Sequence, residues 1–161
     1  MVYEDWRSSE MNFAKNFSLE DKNGKIHDLL SLKSKYKVIY FYPKDDTPGC
    51  TIEAKEFSEL VNDFKKLQTE IIGISGGNNE SKKKFCVKYN LNLLLLTDPD
   101  FSVSKSYGVY GAKSFMGKKY DGIKRTTFIL DQENKIIRIF ENVKALGHAK
   151  EILNYIKDTS T

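Results

Sequence analysis

Cysteine is scarce. Two residues in a chain of 161, Cys50 and Cys86, cannot form the disulfide framework on which small secreted domains depend. A reducing compartment is implied, and the cytoplasm is the expected location. Histidine is equally sparse: His27 and His148 are the only two, far apart and without ligand spacing to either cysteine, which leaves no basis for a metal site. No apolar run approaches the roughly 18 residues of a membrane span. Met1 to Asn12 carries Glu4, Asp5 and Glu10 where a secretory or transit peptide would be apolar or basic. Neither membrane insertion nor export is therefore expected. Charge of one sign is also missing, since 26 Lys and Arg stand against 22 Asp and Glu and the net +4 is dispersed along the chain. The densest basic run, Lys82 to Lys84, falls in a predicted helix and reads as a solvated helical face, so nucleic-acid binding is not expected. Haem, flavin and nucleotide motifs are absent, and no organic or metal cofactor is predicted. Without a C-x-x-C pair, thioredoxin-type dithiol exchange is disfavoured.

What is present suffices for one core. With 40% hydrophobic and 12% aromatic residues, the chain can offset the entropy of ordering itself. We expect a single domain over residues 13–161, preceded by an N-terminal extension over 1–12. Lys37 to Tyr42 (KVIYFY) is a near-continuous apolar run closed by Pro43, the pattern of a central strand buried on both faces. Ile71 to Ser75, Leu93 to Leu96, Thr126 to Leu130 and Ile136 to Phe140 read as four further strands, the last two joined by a hairpin at Asp131 to Lys135. Ala54, Phe57, Leu60, Val61, Phe64 and Leu67 recur at helical spacing, with Glu53, Glu56 and Glu59 toward the start, and predict one amphipathic helix. A second helix is predicted from Asn79 and a third over Leu146 to Ile156. Tyr107 to Ile123, with four glycines and no periodicity, reads as a long surface loop near the site. Alternating strands and helices with a terminal hairpin make the fold class α/β, a mixed sheet flanked by helices.

The chemistry gathers in FYPKDDTPGCT, Phe41 to Thr51, which leads from the buried strand into the helix and places Cys50 in its first turn. Unpaired backbone N–H groups and the positive end of the helix dipole favour an anion there. A thiol so placed loses its proton more readily, and the thiolate is the nucleophile. Pro48 and Gly49 break regular structure and permit close backbone approach, which a merely core-filling cysteine would not require. A cysteine hydrolase would need a histidine base beside Cys50. His148 is formally available, but at the start of a predicted helix a capping or surface role fits it better.

Pro43-x-x-x-Thr47-x-x-Cys50 resembles the active-site pattern of the peroxiredoxins. The longer YPKDDTPGCTIEA is similar to the bacterioferritin comigratory protein (peroxiredoxin Q) subgroup, with further collinear matches at FSLEDKNG, YGVYG, RTTF and VKALGH. The resemblance implies a thioredoxin-like fold and a peroxidatic Cys50 that reduces hydrogen peroxide and small organic hydroperoxides through a sulfenic acid. Attack on the O–O bond builds charge on the leaving oxygen, so preplaced donors are needed. Thr47, the backbone N–H groups at the helix start and Arg125 fit that need, and Arg125 would also stabilise the thiolate. Pro43 would shield the sulfur, and Glu53 would orient the arginine. Taken singly, each has a duller reading as a turn residue, a strand edge or a first-turn charge.

Many members of the subgroup carry a resolving cysteine five residues after the first. Here that place is Lys55, and the remaining candidate is Cys86 in the helix after the next strand, a position some members of the subgroup use. The resemblance therefore implies a Cys50–Cys86 disulfide recycled by thioredoxin or another thiol reductant. Recycling by an external thiol with an inert Cys86 is the alternative. Further alternatives are a peroxide sensor that signals through Cys50 oxidation and an inactive adaptor of the same fold. Lys15 departs from the subgroup, which usually has proline there. A monomer is expected.

Overall fold

The computed structural model describes residues 12–160. All but the last residue of the expected N-terminal extension lies outside them. In chain order the elements are β1 (Ser18–Asp21), β2 (Ile26–Asp28), β3 (Tyr36–Phe41), α1 (Pro48–Glu59), α2 (Val61–Lys66), β4 (Thr69–Ser75), α3 (Asn79–Tyr89), β5 (Leu94–Thr97), α4 (Ser102–Ser106), β6 (Tyr110–Phe115), β7 (Lys118–Ile123), β8 (Thr126–Leu130), β9 (Ile136–Phe140) and α5 (His148–Ser160). Seven strands form one sheet in the order β2-β1-β5-β4-β3-β8-β9, and β6 and β7 form a separate two-stranded ribbon. β3 pairs parallel with β4, and β4 with β5, while every other pairing is antiparallel. Among the described residues no helix is long and apolar enough to cross a membrane.

The strand period of two divides the apolar residues between two cores. Val38 and Tyr40 of β3 join Ala54, Phe57, Phe64, Phe85 and Ile152 under the helices on one face. Ile39 and Phe41 point the other way, into a cluster with Phe17, Leu29, Tyr107 and Phe128. Every residue of β3 is buried, as a central strand covered on both faces requires. Each fully buried Phe or Ile side chain is worth about 1.5–3 kcal/mol of transfer free energy. The clusters on the two sides therefore fix the register of β3: a slip by one residue would exchange their contents.

The five predicted strands are present, the last two with the expected bounds and the first three with ends displaced by up to two residues, and Asp131 closes the last hairpin by accepting from the N–H groups of Glu133 and Lys135. Several expectations are corrected. The segment 107–123 is mostly the β6–β7 ribbon rather than a loop, closed by Met116 and Gly117, both at positive φ as a tight hairpin turn demands. Most of its residues face solvent on both sides, so no alternation marks it. The helix expected through Leu67 breaks at Leu60, where ψ of 5° ends α1 before α2 begins. The β1–β2 hairpin and α4 are too short and too exposed to carry a periodic signal.

Two side chains read as solvated are buried instead. Lys82 has no exposed surface, and its ammonium donates to Asp45 Oδ2 at 3.2 Å, Ser75 Oγ at 2.9 Å and Gly76 O at 2.7 Å. Spending all three protons on protein partners is what makes burial of that charge tolerable. His148 opens α5, but its ring packs edge-on against Phe57 and Phe140. Its nitrogens lie 2.8 Å from Thr127 Oγ1 and 3.0 Å from Glu151 Oε1, and burial pushes its pKa down.

Gly73 in β4 leaves no room for a side chain: a Cβ there would stand 2.7 Å from Leu95 Cδ2 and 2.8 Å from Tyr40 Cζ. The Tyr40 ring cannot yield, because it stacks on Phe57 with centroids 4.7 Å apart. Gly73→Ala should therefore destabilise the fold by about 1–3 kcal/mol in denaturant titration, the usual cost of overpacking, despite the entropy it saves.

Candidate active site

β3 delivers the chain to the site. Beyond Phe41, Tyr42 keeps the strand direction by donating its N–H to Ile74 O at 3.1 Å, and half-buried Pro43 ends the ladder. Asp46 takes a left-handed φ of 60°, which turns the chain toward Thr47, the N-cap of α1, with Pro48 as the first helical residue. The Thr47 side chain does not cap the helix. Its hydroxyl donates to Lys44 O at 2.9 Å and so stiffens the loop, while Thr47 O accepts from Thr51 N at 2.8 Å. Cys50 is thus the third helical residue, among N–H groups that lack a helical partner, and the first turn of α1 holds no acid to oppose an anion. Its side chain is almost wholly buried.

The cation arrives from the neighbouring strand. Phe41 pairs with Thr126 in the β3–β8 ladder, so Arg125, one residue earlier, stands beside the loop that follows β3. Arg125 donates through Nη2 to Cys50 Sγ at 3.5 Å and through Nη1 to Glu53 Oε1 at 2.6 Å. Glu53 lies one turn after Cys50 on α1, which places sulfur and carboxylate on the same helical face. A Cβ on Gly49 would sit 2.9 Å from Arg125 Nη2, so a side chain there would push the guanidinium off this path across the helix start.

Burial sets the electrostatics. It pushes the Glu53 carboxyl up to about 7, against the pull of Arg125 through charge and hydrogen bond. Burial alone would lower the Arg125 pKa, but Cys50 and Glu53 more than reverse it and the guanidinium stays charged. Among the described residues Glu53 Oε2 is buried without a hydrogen-bond partner, as is the Tyr40 hydroxyl, whose ionisation is pushed far up by burial and by the acidic groups around it, Glu53 and the two cysteines among them.

Cys50, Glu53 and Arg125 are therefore in direct contact, while Thr47 and Pro43 belong to the loop that leads to them. Both cysteines are free and both border the helix-side core, Cys86 from α3. Burial pushes the Cys86 thiol up, so it stays protonated in this conformation.

Sequence reasoning missed two contributors. Asp45 accepts from Tyr42 Oη at 2.6 Å and Ser81 Oγ at 2.7 Å besides Lys82, and so knits the loop to the end of β3 and to α3. Lys113, in the ribbon mistaken for a loop, donates to Ile123 O at 2.8 Å. Burial holds its ammonium below the ordinary lysine range and Arg125 adds to this, while Cys50 acts the other way. Asp45 was legible in principle, as the first acid of a loop that must be anchored. Nothing in a stretch without periodicity singled out Lys113.

Comparison with known proteins agrees with this geometry. The AhpC/TSA family profile matches residues 11–139. A putative peroxiredoxin of Helicobacter pylori J99 is 43% identical over 140 residues, 87% of this chain and 92% of the relative. Peroxiredoxin Bcp of Escherichia coli K12 is 39% identical over 147 residues, covering 91% and 94%. Among solved structures, the Xanthomonas campestris bacterioferritin comigratory protein superposes with a TM-score of 0.84 at 32% identity, covering 90% of this chain and 92% of that one. A PrxQ variant from Xylella fastidiosa gives 0.86 at 29% identity, covering 96% and 100%. A sheet of thioredoxin type, a cysteine at a helix start under an arginine, and relatives matched over nine-tenths of their length place this chain in the AhpC/TSA family, as a thiol peroxidase of the bacterioferritin comigratory protein (peroxiredoxin Q) branch of the peroxiredoxins.

Proposed function

We propose that Cys50 is the peroxidatic residue and that residues 13–161 act as one peroxidase domain on hydrogen peroxide and small alkyl hydroperoxides. The observation that carries the reading is the Arg125 guanidinium hydrogen-bonded at once to Cys50 Sγ and Glu53 Oε1. The Cys50 thiolate attacks one peroxide oxygen. An S–O bond forms, the O–O bond breaks, and the proton of the attacked oxygen passes to the leaving oxygen, which departs as water or alcohol, while the sulfenate left on sulfur takes a proton from water. Because the Thr47 hydroxyl gives its proton to Lys44 O, its lone pairs are free to accept the peroxide O–H, and Arg125 with the N–H groups of the helix start serves the leaving oxygen. Pro43 covers the sulfur from bulk water. Glu53 fixes the arginine so that its second nitrogen faces the reacting atoms. The Xanthomonas campestris bacterioferritin comigratory protein has alkyl peroxide reduction activity, which supports the substrate class.

The sulfenic acid condenses with the Cys86 thiol, forming the S–S bond and releasing water, and a thioredoxin-type dithiol reduces the disulfide. Structures of the Xanthomonas campestris relative include cysteine-to-serine variants at two positions as far apart in sequence as Cys50 and Cys86, which supports the pairing. Both cysteines are buried on separate helices, and a bond between them needs Cα atoms within about 7 Å, an approach that local unwinding supplies.

Cys50→Ser should abolish peroxide consumption. Cys86→Ser should consume one equivalent and then stop with a thioredoxin-type reductant, and intact-mass analysis should find the wild-type protein in a Cys50–Cys86 bond. Undiminished turnover in Cys86→Ser would remove the resolving role.

The Glu53 carboxyl gives a second check. Its pKa is raised in the fold from 4.5 to about 7, so the native state holds that proton more tightly than the unfolded chain. The resulting stabilisation is complete below pH 4.5 and is lost as pH rises through about 7. His148 works oppositely, since its lowered pKa costs stability as pH falls below 6.5, but Glu53→Gln leaves it in place. The unfolding free energy of wild type relative to Glu53→Gln should therefore fall across pH 4.5–7, and a flat difference would refute a raised carboxyl.

A further inference from the structure

Asp45 and Asp46 are neighbours in the loop before Cys50, yet they reach α3 at opposite ends, with Cys86 between. Asp45 binds near the helix start, accepting from Ser81 Oγ and from the Lys82 ammonium. Asp46 binds near the helix end, where Oδ2 accepts from Lys88 Nζ at 2.9 Å and Oδ1 from Tyr89 Oη at 2.7 Å. The left-handed φ at Asp46 is what lets two consecutive carboxylates serve separate points on one helix.

The two attachments differ in kind. At the first, the Lys82 and Asp45 side chains are 0% and 6% exposed. Lys82 is held by three acceptors and its ammonium lies near the Tyr42 ring. Opening it would strand a buried ammonium and a buried carboxylate. The same end of α3 carries a full capping box, Asn78 Oδ1 accepting from Ser81 N while Ser81 Oγ accepts from Asn78 N. At the second, the Lys88 and Asp46 side chains are 58% and 39% exposed. Water replaces both partners at little cost, and salt screens the pair. This end stops at Asn90 in a left-handed conformation, with Leu91 N donating to Cys86 O.

We propose that the pair forms an anchor and a latch for the resolving step: Asp45–Lys82 holds the first turn of α3, Asp46 with Lys88 and Tyr89 releases, and only the half of the helix carrying Cys86 unwinds toward Cys50. Asp45 and Lys82 are positioning residues in this scheme, since they pin the hinge from which Cys86 swings and touch no reacting atom. Until the latch opens, Cys86 stays a buried thiol and the sulfenic acid persists. Closure of the latch thereby sets the share of Cys50 open to further oxidation by a second peroxide. The inference rests on Cys86 being the resolving residue.

Peroxide-treated protein, quenched at intervals with a sulfenic-acid trap and followed by mass spectrometry, separates the steps. Lys88→Gln and Tyr89→Phe should each shorten the sulfenic-acid lifetime about 1.5- to 5-fold, as expected for loss of a surface contact, and leave the rate of its formation unchanged. Added salt should shorten it in wild type but not in Lys88→Gln. Hydrogen exchange on the disulfide form should show protection lost over residues 85–90 and kept over 79–82. If the disulfide forms but these variants resolve at the wild-type rate, or if 79–82 lose protection as well, the anchor-and-latch scheme is overturned while Cys86 keeps its role. Absence of any Cys50–Cys86 bond would overturn both.

Discussion

A guanidinium shared between a sulfur and a carboxylate is the contact that the rest of the structure is arranged to permit. Arg125 must reach Cys50 Sγ and Glu53 Oε1 together, which needs a helix with both groups on one face and a planar fork with two free nitrogens. It needs β8 beside β3, so that the residue before Thr126 arrives where the loop after Phe41 turns into α1. Gly49 is needed as well, because a methyl group there would occupy the path of the guanidinium. Sheet order, helix phase and one missing side chain thus converge on a single hydrogen-bonded triad. The energetic cost is local: Glu53 is buried with one oxygen unpaired, and its proton affinity rises accordingly. The guanidinium that Glu53 holds in place at this expense stays charged, which fits a site that must meet developing negative charge without reorganising.

The sheet-forming core was legible in the sequence because its signals are strong and local. Tyr36–Phe41 is buried on both faces and reads as an unbroken apolar run, and the helix over Cys50 shows its period through Ala54 and Phe57. What stayed hidden has a common physical cause. The β6–β7 ribbon packs little against either core, so solvent on both sides erases the alternation that marks a strand. The burial of Lys82 depends on Asp45, a partner thirty-seven residues away, and no local pattern distinguishes it from its solvated neighbours Lys83 and Lys84. His148 was misplaced for the same reason, since Phe57, Thr127 and Phe140 meet it only in three dimensions. Of the site, Cys50 followed from its place at a helix start, whereas Arg125 and Glu53 came from family resemblance and could not have been paired by spacing.

Function and stability meet in the loop 43–47. Its acids are fastened to Tyr42, Ser81, Lys82, Lys88 and Tyr89, so the segment that presents Cys50 is mechanically continuous with the helix that carries Cys86. The buried Asp45–Lys82 pair holds the loop that keeps the sulfur near its arginine, whereas in the proposed scheme the exposed Asp46–Lys88 pair governs how the second cysteine is withheld. Rigidity for the first chemical step and the proposed release for the second therefore fall to different members of one set of contacts. Their unequal burial lets one set serve both demands.

The most direct measurement is the second-order rate constant for oxidation of Cys50 by hydrogen peroxide in Arg125→Lys, made in a Cys86→Ser background so that only the first step is read. A lysine keeps the charge but replaces the planar two-nitrogen fork with a single centre on a shorter reach, so the paired geometry at sulfur and carboxylate is lost. The account predicts a rate lower by roughly 10²-fold or more, the usual loss when one preorganised donor to a transition-state charge is removed. A rate within about twofold of the Arg125 enzyme, with the fold intact, would contradict it, because the remaining transition-state donors would then suffice.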